Sequence, residues 1–203
     1  MFKKNNDWFS GTIKGLYFGC YHDKLTVKIG QSLYSIRRRA NKIKLDSGKG
    51  FSVQYYIPFT NLWENNKKNT IFALAMEDLV HDWMTQFCHS KDFHKYRGED
   101  HYECSVEGCE KFFNYFENHE KEITQHFTEI GEKIHTIIDN FKYPECKDIP
   151  DSELAINILR IYNGIEEPIG ERLIDRSHHD KNWWYHDQYW KEWNRKHGII
   201  KNS

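Results

Sequence analysis

No apolar run in this chain approaches the ~20 residues of a membrane span, so no membrane partner is expected. The charged start, MFKKNNDWFSG, has no apolar stretch after it, so no signal peptide is expected. Five cysteines, odd in number and unevenly spaced, do not form a disulfide framework; free thiols in a reducing cytoplasm are expected. Internal repeats and low-complexity tracts are also missing. Net charge is close to nil, at −1. What is present in quantity is aromatic: 16% Phe, Tyr and Trp against a mean hydropathy of −0.84, so the core must rely on rings. At 203 residues the chain fits one domain, or a small domain with an extension.

The small net charge hides an asymmetry. Residues 1–90 hold 13 Lys and Arg against 7 Asp and Glu, whereas residues 91–203 hold 16 against 23. A basic first half suits a polyanionic partner, and its densest patch is Arg37, Arg38, Arg39, Lys42 and Lys44.

GLYFGCYH and TVKIGQS read as two strands of an antiparallel hairpin turning at Asp23-Lys24. Leu33, Ile36, Ala40 and Ile43 recur at helical spacing, and the turn chemistry of Asp46 to Gly50 ends that helix. FSVQYYIPF reads as a third strand, followed by a polar loop over residues 61–69. A helix is expected from about Thr70 to Phe87, capped by Asn69 or Thr70, with Glu77 and His81 one turn apart on one face. Beyond residue 91 the pattern is helical. Phe116, Ile123, Phe127, Ile130, Ile134, Ile137 and Phe141 form a heptad-like seam, compatible with an antiparallel helix pair or a dimer contact. Asp151 opens a further helix that stops at Asn163-Gly164.

Gly15-Leu16-Tyr17 and Lys28-Ile29-Gly30, ten residues apart, precede Arg38 and then Glu77-x-x-x-His81. These residue types are what phosphodiester cleavage uses: a proton acceptor, cations for phosphate, and a carboxylate for a divalent metal. In that order and spacing, the first ninety residues resemble the GIY-YIG nuclease superfamily, with Lys28 where the second motif commonly has Tyr. The resemblance implies an α+β fold: a small three-stranded antiparallel sheet flanked by helices over residues 10–90, followed by a mainly helical, acidic extension over 91–203. It further implies that Tyr17 deprotonates or orients the attacking water, Arg38 holds the scissile phosphate, and Glu77 binds Mg²⁺ or Mn²⁺. His81 would stand beside Glu77 rather than on the metal. Lys28, on the neighbouring strand, would favour the phenolate of Tyr17, since a phenol of pKa ~10 is otherwise a poor base. Arg37, Arg39 and Lys42 would contact DNA. Asn41, Asn61 and Asn69 are candidates for a late polar residue of the site.

Two other clusters stand out. Cys104-x4-Cys109 with His119 and His126 offers four zinc-type ligands, at intervals that depart from a Cys2His2 finger: nine residues separate Cys109 from His119, and six separate the histidines. The tail carries His178, His179, Trp183, Trp184, Trp190 and Trp193, an aromatic stripe expected to pack on the helical part or on a second copy. The expected function is a metal-dependent DNA endonuclease in the cytoplasm, with a homodimer formed through residues 112–141 or 178–197. The alternative is a catalytically inactive scaffold of the same kind that binds DNA or protein.

Overall fold

The computed structural model describes residues 12–84, 87, 93–95, 101–141 and 149–164. All of them belong to one compact unit, Met1–Ile165; the second unit, Glu166–Ser203, contains the tryptophan stripe and His178 and His179, which lie outside the described residues.

The expected hairpin forms from β1 (Gly15–Tyr21) and β2 (Thr26–Ser32), and β3 (Phe51–Pro58) pairs on the other side of β1. The sheet does not stop at three strands. The short β5 (His101–Cys104) pairs with β2, and β4 (Phe93–Lys95) pairs with β5, giving an antiparallel order β3-β1-β2-β5-β4. The physical reason is an edge: β2 of an isolated three-stranded sheet would leave a row of backbone groups unpaired, and residues 101–104 return to satisfy part of it. The expected boundary near residue 90 therefore falls inside the compact unit.

Strand side chains alternate between faces. Tyr17, Tyr21, Phe51, Val53 and Tyr56 share one face and pack under Ile36, Ala40 and Ile43 of α1 (Ile36–Ser47). That helix starts at Ile36 rather than Leu33, because the Ser35 hydroxyl caps it by accepting from the Arg38 N–H. His101 stacks on Tyr21 on this same face. Phe18 and Tyr102 point the other way, where Phe18 meets Phe116 of α3 (Val106–Asn118) and the Tyr102 hydroxyl is hydrogen-bonded to His81 of α2 (Asn66–Met84). Helix α1 thus covers one face, and α2 and α3 cover the other.

Helix α2 begins four residues earlier than Thr70. The Asn65 side chain accepts from the N–H groups of Lys67 and Lys68 and is the cap, whereas Asn69 is buried, its amide bonded both ways to the Trp63 backbone.

The apolar seam is divided between α3 and α4 (Glu120–Asn140) by a break at His119. Phe116, Ile123, Phe127, Ile130 and Ile134 are buried as expected, but Ile138 replaces Ile137 in the core. A straight helix of 3.6 residues per turn drifts away from a seven-residue repeat, which moves the buried face by one position. Helices α4 and α5 (Asp151–Tyr162) pack against each other and against α2. The seam is consumed inside the chain, so it offers no apolar stripe for the homodimer expected through residues 112–141. Ile134→Ala should accordingly lower monomer stability by about 2–5 kcal/mol in denaturant unfolding, with the same dependence on protein concentration as the parent. A stability loss that disappears on dilution would instead mean an interface.

Candidate active site at the edge of β2

Tyr17 stands opposite Gly30 in the β1–β2 register. A Cβ added at Gly30 would lie 2.5 Å from the Tyr17 hydroxyl oxygen and 2.8 Å from Cζ, so the tip of the ring lies over β2 at Gly30, where only glycine leaves room. Strand β5 borders β2 only from Thr26 to Lys28. Among the described residues, Ile29–Ser32 have no strand neighbour on that side.

Helix α2 passes along the opposite face and meets the same edge. Phe72 touches Phe59, next to the Gly15–Pro58 pair, with ring centroids 5.2 Å apart. His81 reaches Tyr102, which is paired to Val27. Glu77, four residues before His81, sits about 6 Å back along the helix, roughly two strand residues. That places it level with Ile29 and Gly30. It is half-buried, on the helix face between the buried Ala73, Val80 and Met84 and the His81 flank.

The arginines are sorted by handedness. The Cys104 N–H donates to the Leu25 carbonyl, so Leu25, Val27 and Ile29 turn their backbone groups to β5, while Lys28 and Gly30 turn theirs to β1. For L-residues this sets β2 to the right of β1 when the sheet is viewed from α1 with β1 running upward. Helix α1 also runs upward, and Ile36, Ala40 and Ile43 face the sheet. At 3.6 residues per right-handed turn, Arg39 projects on the β2 flank, Arg37 on the β3 flank, and Arg38 away from the sheet. The same arithmetic puts His81 on the β5 flank of α2, where it is found. Tyr17 and Arg39 thus lie on the α1 side of β2 and Glu77 on the opposite side of the sheet, whereas Arg38, assigned to the phosphate from spacing, projects away from the sheet. The signal that separates them is the trio Ile36, Ala40 and Ile43, whose phase sets the inner face.

Lys28 lies on the Tyr17 face of β2, cross-strand to Gly19 and His101, and is 6% exposed. Arg37, Arg39 and Lys42 are exposed. Among the asparagine candidates, Asn69 is tied to Trp63, Asn61 gives its carbonyl to His135, and Asn41 is exposed on α1.

Both histidines of the candidate zinc set have other partners. His119 is stacked on Tyr115 and bonded to its carbonyl, and His126 packs on Phe127. Among the described residues no group of three or more His, Cys, Asp or Glu is placed to hold a metal ion. Cys104 and Cys109 instead join Cys20, 84 positions earlier than Cys104, a neighbour no spacing in the sequence announces. The three buried thiols form a relay. Cys20 donates to Cys109, which raises Cys20, and Cys109 donates to Cys104, which pushes Cys109 up to about 12 and holds Cys104 below the ordinary thiol value. Cys104 in turn donates to the Lys24 carbonyl at 3.6 Å.

No family model, curated protein or solved structure matches the chain. Among the described residues no helix is long and apolar enough to cross a membrane.

The thiol relay predicts an order of reactivity. At mildly alkaline pH, iodoacetamide should modify Cys104 before Cys20 and Cys109, and Cys109→Ala should slow Cys104 by removing the donor that favours its thiolate. Peptide mapping over time reads this directly. Equal rates at the three sulfurs would refute the relay.

Proposed function

We propose that this protein is a metal-dependent DNA endonuclease whose phosphodiester-cleaving site lies at the outer edge of β2. The observation that supports the reading is the close approach of the Tyr17 hydroxyl to Gly30 on β2, with Arg39 on the β2 flank of α1 and Glu77 half-buried on α2 behind the sheet. Tyr17 would orient the attacking water at its hydroxyl and accept its proton, with Lys28 on the adjoining strand favouring the phenolate. Arg39 would hold the scissile phosphate by its guanidinium fork as negative charge builds on the oxygens.

A hard divalent cation fits the donor set. Mg²⁺ characteristically binds through one or two carboxylates plus substrate phosphate and water, rather than in an all-protein cage. Glu77 supplies one carboxylate at the edge, and no larger cluster of ligands is required of the protein. When bound there, such an ion would neutralise charge on the phosphate oxygens.

The test is nicking or linearisation of a supercoiled plasmid in Mg²⁺ or Mn²⁺, abolished by chelator. Glu77→Gln should lower the rate by at least about a hundredfold with the fold retained. Arg39→Ala should cost about 10²–10³-fold, and Arg38→Ala should leave the rate of bound substrate nearly unchanged. Parent rates in Glu77→Gln, or equal small losses at Arg37, Arg38 and Arg39, would remove the assignment.

The burial of Tyr17, 1% exposed, supports a second reading. In it the fold is an inactive scaffold that binds nucleic acid without cutting. Duplex binding with no metal-dependent cleavage under any of these conditions would select it.

A further inference from the structure

Helix α1 has an outer stripe that the edge site does not use. Tyr34, just before the helix, is 82% exposed, and Leu45 is 81% exposed. Between them on the same outward side stand Arg38, Asn41 and Lys42, all exposed, one or two turns apart. The inner side of the helix is fully committed to the core through Ile36, Ala40 and Ile43. Its charge is lopsided: Arg37, Arg38, Arg39, Lys42 and Lys44 against Asp46 alone. Two large apolar side chains set among cations, on a helix whose other side is anchored, form a surface complementary to a polyanion that also presents apolar edges.

We infer that α1 is a groove-reading helix, and that its outer stripe takes the major groove of duplex DNA as the substrate of the β2 edge. This rests on the nucleic-acid reading of that edge and adds how the duplex is held. The dimensions agree: a helix of 12 residues is ~18 Å long, and the major groove is ~12 Å wide and admits one α-helix. Arg38 and Lys42 reach phosphates or base edges, while Tyr34 and Leu45 supply apolar contact of the kind a thymine methyl accepts. Lys42 and then Arg39 continue the cationic track around the helix to the β2 flank, which leads a backbone strand from the groove contact to Tyr17 and Glu77.

The experiment is fluorescence anisotropy with a short labelled duplex, its single strand, and vesicles containing phosphatidylserine, all in the Glu77→Gln protein so that cleavage plays no part. Arg38→Ala with Lys42→Ala should reduce the slope of log affinity against log salt by about 1.8. Tyr34→Ser with Leu45→Ser should weaken duplex binding about tenfold without altering that slope. All four positions are exposed, so melting temperatures should stay near the parent value. Duplex affinity and slope untouched by either pair overturn the inference. So does a single strand bound as tightly as the duplex and lost with the same variants, which would make the stripe a stacking surface. Vesicle binding lost in the variants while duplex binding persists would make it a membrane-facing stripe instead. A protein that binds duplex through this stripe but never cuts loses the endonuclease reading and keeps the groove contact; a protein that cuts, with stripe variants binding normally, does the reverse.

Discussion

The architecture depends on how closely β1 can be approached. All seven of its residues are buried, and its neighbours come nearer than side chains would allow. A Cβ at Gly15 would run into the Ile57 carbonyl, and one at Gly30 would meet the Tyr17 ring. These two glycines let β3 seat against β1 and let the Tyr17 ring reach over β2 beneath Ile36, Ala40 and Ile43 of α1. The packing of α1 on the sheet follows from that second contact.

The other half of the geometry is the position of α2, which is fixed by a surface clasp as well as by core packing. Trp63 stacks on His135 with centroids 3.9 Å apart, and its indole N–H donates to Asp139 at 2.8 Å. Lys68 donates to the same carboxylate at 2.8 Å, and His135 is bonded to the Asn61 carbonyl at 2.9 Å. Together these groups bind the turn before α2 to α4. The Lys68 hydrogen bond is the main cause holding the Asp139 carboxyl below its ordinary value, with Trp63 adding to it. A depressed carboxylate contributes fully above its unfolded value and loses that contribution as the pH falls through the folded one, so the clasp keeps it at neutral pH and loses it as the pH falls below the ordinary carboxylate range. Because the clasp lies at the start of α2 and the His81–Tyr102 contact lies near its end, Glu77 is held between two anchors.

The sequence was legible where local chemistry and packing agreed. The hairpin at Asp23-Lys24, the turn after α1, and the helix from Asp151 to Tyr162 were read nearly to the residue, because turn residues and apolar phase point the same way there. The fourth and fifth strands were not legible. His101–Cys104 is only four residues long, and it is a strand because β2 offers a backbone edge, a cause that lies in the partner and not in its own composition. Likewise the heptad-like seam was compatible with an antiparallel helix pair or a dimer contact, and only the tertiary packing shows its buried residues facing α2 and α5 within the chain. Spacing alone also favoured Arg38. Counting from a motif gives a position along the helix, whereas the flank on which a side chain emerges depends on which residues the core takes.

That last distinction gives α1 a division of labour that three consecutive arginines alone could not reveal. A helix packed on one side has an inner face, two flanks and an outer face, and neighbouring residues in sequence are dealt to different ones. Arg39 projects on the β2 flank, Arg37 on the β3 flank, and Arg38 on the outer face. One guanidinium cannot occupy two of these places, because moving between them requires a rotation of the helix that would pull Ile36, Ala40 and Ile43 out of the core. The run Arg37-Arg38-Arg39 is therefore three separate directions set by one buried trio. A change in the core beneath α1 would redirect all three at once, without touching any charged residue.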